Sequence, residues 1–162
     1  MEDGKAKNNF IIFHFLNKKG VKMNPKTEEL LDRTSRFGVD TLNFLMRLPR
    51  DKVYNIIIFQ LEKASTSSSS NYEEAQGAES SKDFNHKIGI VLKEICESNY
   101  WYRVINALML NSEKDNELLK LLNESFELKK IFSAIKITSK KNLRNKKSFL
   151  KTFTIFHLPF TI

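Results

Sequence analysis

Only one cysteine, three prolines and five glycines occur in the 162 residues, and no apolar run approaches the length of a membrane span. Each scarcity excludes something. A single thiol, Cys96, leaves no intramolecular disulfide and fits a reducing cytoplasm. The apolar run 10–16 follows Lys5 and Lys7 but is short, contains His14 and lacks a small-residue cleavage site, so it does not read as an export signal. Without ~20 consecutive apolar residues no membrane span is expected. The low glycine and proline content argues against a collagenous or low-complexity chain. What is abundant is apolar and charged material, 41% and 28%, enough for one domain with a real core.

Charge is unevenly placed. Of the net +8, residues 1–22 contribute five basic and two acidic side chains, residues 23–138 sixteen and seventeen, and residues 139–162 six and none. The excess therefore sits at the two ends, around a nearly neutral body. Three segments follow: an N-terminal extension over 1–22, a body over 23–138, and a basic, aromatic tail over 139–162.

Within the body the apolar residues recur at steps of three and four. Leu30, Thr34, Phe37, Thr41, Phe44 and Leu48 line a first helix that Pro49 ends, with Gly38 either packed closely or simply exposed. A second helix starts near Arg50 or Asp51 and carries Val53, Ile56, Ile57, Phe59 and Leu61. Residues 64–70, Ala-Ser-Thr-Ser-Ser-Ser-Ser, then read equally as flexible linker or as helix whose small side chains admit a close neighbour. Ser80 and Asp83 resemble a capping box opening a third helix with Phe84, Ile88, Ile95, Tyr102 and Ile105; Ser112 and Asp115 repeat the pattern before a fourth with Leu118, Leu122, Ser125, Leu128, Phe132 and Ile135. Four long helices with short connections predict an all-α, antiparallel up-down-up-down four-helix bundle. After Ser139 the apolar pattern fails, and Pro159 with the Thr and Ile residues around it argues against a stable helix there.

Catalytic and metal chemistry lack the residue sets they need. Glu74, Glu94 and Glu97 invite comparison with di-metal bundles, but the Glu-x-x-His pairs of such sites are missing, since His86 lies eight residues before Glu94. No metal and no cofactor is expected. Paired or hydrogen-bonded carboxylates within a structural polar and aromatic network of Asn71, Tyr72, Glu74, Asp83, Glu94, Glu97 and Trp101 are the preferred reading. Cys96 adjoins the apolar stripe and reads as a small buried side chain. Not an enzyme is the resulting expectation.

Gln60-Leu61-Glu62-Lys63, Ser67, Asn71-Tyr72-Glu73-Glu74-Ala75, Ser80, Asp83-Phe84, Lys87-Ile88 and Glu94-x-x-Glu97-x-x-Tyr100-Trp101 together resemble the four-helix-bundle proteins encoded in intervening sequences of 23S ribosomal RNA genes, a family similar to the accessory variability determinant of diversity-generating retroelements. The resemblance covers about residues 27–138. It implies four antiparallel helices, a ring-shaped homopentamer and nucleic-acid association without catalysis, and it makes the serine run helical. Ser68 and Ser70 depart from the family's apolar residues and make that helix unusually polar.

The function expected is a non-catalytic, oligomeric adaptor that binds RNA or DNA through backbone phosphates. Candidate contacts are Lys63, Lys82, Lys87, Lys93 and Arg103 on the body, and Lys140, Lys141, Arg144, Lys146 and Lys147 beyond it. The alternative is a structural or protein-interaction bundle whose basic ends meet an acidic protein partner.

Overall fold

The protein is described by a computed structural model over residues 23–109 and 115–156, with side chains described to Lys146. The fold consists of four helices and, among the described residues, no strand: α1 Pro25–Leu45, α2 Lys52–Gln76, α3 Ser81–Leu108 and α4 Asn116–Phe156. None is long and apolar enough to cross a membrane.

Each helix begins where a side chain can satisfy free backbone N–H groups. Asn24 Oδ1 accepts from Lys26 N at 2.9 Å, with Pro25 at the first helical position. Asp51 Oδ1 accepts from Val53 N and Tyr54 N at 2.8 and 2.9 Å. Ser80 Oγ accepts from Asp83 N at 3.1 Å, while the Asp83 carboxylate accepts from Glu79 N rather than closing the box on Ser80. The fourth cap is Asp115 itself, whose Oδ1 accepts from Glu117 N and Leu118 N at 2.9 and 3.2 Å. The Ser112 cap expected there lies outside the described residues.

The serine run is helical throughout. Its neighbour explains why. Gly38 of α1 is buried, and a Cβ built there would stand 3.6 Å from the Ser65 carbonyl oxygen, so the two backbones approach closely across small side chains. The buried hydroxyls bond back along their own helices: Ser65 Oγ to Glu62 O at 3.1 Å and Ser68 Oγ to Ser65 O at 2.7 Å. This removes the cost of burying them, and so Ser68 is accommodated at full burial while Ser70 is exposed.

One continuous core runs through the four helices, built on Leu31, Phe37, Phe44, Leu61, Ile88, Ile95, Tyr102, Ile105, Leu128 and Phe132. Phe37 and Phe44 flank Tyr102, with ring centroids 6.1 and 6.4 Å away, and Tyr72 meets Phe132 edge-on at 4.9 Å. Two polar pairs are sealed inside. Tyr102 OH lies 2.6 Å from Thr41 Oγ1, which is also 2.6 Å from Phe37 O; Asn99 Nδ2 donates to Ser125 Oγ at 2.9 Å. Burial pushes the Tyr102 phenol well above its ordinary value, the Thr41 bond partly opposing it.

At the surface Arg33 grips Glu124 with two bonds of 2.5 and 2.9 Å, and Arg47 reaches Glu117 at 2.5 Å. The last helix differs most from expectation. α4 runs on past Ser139 as one helix to Phe156. Its residues 140–147 are Lys, Asn, Leu and Arg with no glycine or proline, a composition mostly tolerant of helix without apolar periodicity.

Candidate nucleic-acid interface

Position along the helices separates the ten candidate cations into two groups. Lys63 is exposed on α2 and acts electrostatically on Glu94. Lys93 and Arg103 are exposed on α3, about 16 and 31 Å along the helix from Lys82 at 1.5 Å per residue. Lys87 is half-buried and occupied, donating to Glu74 Oε2 at 3.0 Å. Lys63 and Lys93 thus both lie near Glu94, with Arg103 about 15 Å further along α3.

The second group does gather. Lys82 stands on the first turn of α3, and that turn faces Ser139 and Asn142 across an open groove of about 440 Å³ that Ser80, Ser81 and Phe84 also line. From there Lys140, Lys141, Arg144 and Lys146 continue along α4, all exposed. Among the described residues none of these four lies within ion-pair distance of a carboxylate. Lys147 falls on α4 beyond the described side chains.

A contact that the sequence did not suggest fixes α4 at this end. Lys136 Nζ donates to the Asn85 carbonyl oxygen and, at 2.9 Å, to Asn85 Oδ1, while Asn85 Nδ2 donates to Ser139 Oγ and, at 3.4 Å, to Lys136 O. Gly89 makes room for it: a Cβ there would stand 2.6 Å from Lys136 Nζ. Desolvation, then the neighbouring charge of Lys140, holds the Lys136 ammonium below its ordinary value. The tie joins residues 51 apart in sequence, and a glycine inside the third helix was its only advance signal.

The seven residues expected to form one polar and aromatic network are dispersed into local contacts. Tyr72 is buried against Phe132, and burial raises its phenol above the ordinary value. Asn71 Nδ2 donates to Ser67 O within α2 at 2.8 Å. Glu74 pairs with Lys87, and Asp83 serves the helix cap. Glu94 is half-buried; desolvation first, then Glu97, pushes its carboxyl up, against the pull of Lys93 and Lys63. Trp101 packs edge-on to Tyr100 at 4.9 Å, and its Nε1 is buried without a hydrogen-bond partner. The internal polar pairs are instead Thr41 with Tyr102 and Asn99 with Ser125; Thr41 and Ser125 stood in the apolar stripes, whereas Asn99 gave no signal.

Cys96 is half-buried and His86 is exposed. Among the described residues no three His, Cys, Asp or Glu side chains come together as metal ligands.

The geometry thus defines a four-helix protein whose last helix carries a row of exposed cations without ion-pair partners among the described residues. The family described as 23S rRNA-intervening sequence protein matches residues 26–134, and the chain belongs to that family. Among solved structures it is similar to a protein of unknown function from the S23 ribosomal protein family of Bacteroides thetaiotaomicron, with 26% identity over 65% of this chain and 96% of that one, at a TM-score of 0.59. No curated protein matches the chain.

Proposed function

We propose that this chain is a non-enzymatic, homo-oligomeric adaptor that binds RNA or DNA through backbone phosphates, with little reading of bases. The observation that carries the reading is the run Lys140, Lys141, Arg144 and Lys146, exposed and without acidic partners among the described residues. Phosphate oxygens are the counter-charge such a row accepts from any sequence. Lys82 joins it from α3, and Lys63, Lys93 and Arg103 add long-range attraction if copies of one face are repeated around an assembly.

The bundle is antiparallel in this reading. Its support is the pairing of Arg33 with Glu124 and of Arg47 with Glu117, in which an advance along α1 is a retreat along α4. A ring-shaped homopentamer and a reducing cytoplasmic setting belong to the same proposal, as does the likeness to the accessory variability determinant of diversity-generating retroelements.

Filter binding of the full chain to structured RNA and to single-stranded DNA at two salt concentrations tests it. Four phosphate contacts give a log–log salt slope on the order of −3. Absence of binding at low salt, with the protein folded and assembled, overturns the proposal.

A further inference from the structure

The same helices that bury one stripe leave a second apolar set outside. On α2 Val53, Ile56 and Phe59 are 58%, 55% and 63% exposed, and on α3 Tyr100 and Leu108 are 50% and 51% exposed. At 100° per residue Phe59 points away from the inward Ile57, Leu61 and Ala64, as Tyr100 points away from Ile95, Tyr102 and Ile105, with Ile56 and Leu108 at the margins between the outward and inward sides. The two sets are level with one another. The Glu74–Lys87 pair marks the end where α2 and α3 are joined, and Lys63 acts on Glu94 further along, so residues 53–59 run beside residues 100–108. Half-buried Trp101, with no acceptor for its Nε1, packs against the core and against the exposed Tyr100 ring. Contiguous apolar surface left exposed, when larger than the usual patch of a monomer, marks an interaction site.

We propose that this outward face of the α2–α3 pair, centred on Phe59, is where one copy of the chain seats on another. The inference rests on the homo-oligomeric part of the functional reading and names its surface. Charge selects the occupant. The patch is flanked by Glu94 and Glu97 as well as by Lys63 and Arg103, so a uniformly anionic strand seated on it would be opposed by the two carboxylates, whereas a second copy offers both signs to both signs. Placement agrees. Lys82 and the α4 cations lie at the opposite end of α3, where the α2–α3 junction is, and stay free when this face is covered.

Light scattering with far-UV circular dichroism on the full-length chain tests the face. The unmodified protein has a mass that is a multiple of 18.9 kDa. Phe59→Glu and Ile56→Glu each lower it to that of a single chain with helicity retained, while Val39→Glu, at a 49% exposed position on α1, keeps the original mass. If Phe59→Glu loses helicity, Phe59→Gln is read the same way. Folded Phe59 and Ile56 variants that keep the oligomeric mass overturn the face and leave the oligomeric reading standing. An unmodified protein at single-chain mass overturns both.

Discussion

Two stretches of this molecule are helical for different reasons. Residues 64–70 of α2 have a composition suited to loops, and they are helical because α1 stands against them: Gly38 brings its backbone to Ser65, and the hydroxyls of Ser65 and Ser68 are satisfied within the helix. Residues 140–146 of α4 have no such neighbour. They are helical through their own propensity, downstream of the Lys136–Asn85 tie, and their cations have no acidic partners among the described residues. The difference teaches where to look for each property. Stability lives where side chains are small or apolar and shared between helices; electrostatic attraction lives where a helix has left its neighbours behind.

The contrast breaks most visibly in the core. Phe132, fully buried against Tyr72, is expected to cost about 3–5 kcal/mol as Phe132→Ala, read as a fall in the urea midpoint. A smaller cost of about 1–3 kcal/mol is expected for Thr41→Val, which leaves the buried Tyr102 hydroxyl without its partner; adding Tyr102→Phe should return much of it, as a double-mutant cycle would reveal.

The smallest effect is pH-dependent. Burial and Glu97 raise the folded-state value of Glu94 above the ordinary 4.5, so the folded protein holds that proton more tightly than the unfolded chain. The associated stability is present below the unfolded value and lost as pH rises through the folded one. Glu94→Gln should therefore stabilise at neutral pH, by no more than about 0.5 kcal/mol given solvent screening, with no gain below 4.5. Urea midpoints at both pH values check the sign.

Much of the fold was legible because it is local. Asp51 and Ser80 stand at helix starts, and Leu118, Leu128 and Phe132 at apolar spacing face the core. The serine run was open between linker and helix on composition and read as helical only through the family resemblance, since its helicity depends on Gly38 across the bundle. The helical continuation past Ser139 was not legible, since period-based reading has nothing to follow once apolar residues give way to lysine. The basic end itself was visible as a charge imbalance, but its attachment through Asn85 and Lys136 is a contact between distant residues that no spacing encodes. Counting charge located the cations; only packing showed that Lys82 shares an end with them while Lys93 and Arg103 do not.

The most direct test of the nucleic-acid proposal removes those cations together. A variant carrying Lys140→Gln, Lys141→Gln, Arg144→Gln and Lys146→Gln should keep its urea midpoint to within about 0.5 kcal/mol, yet bind structured RNA at least tenfold more weakly at low salt, with a log–log salt slope shallower by about 3. An unchanged affinity and slope in that folded variant would contradict the assignment of the interface to α4.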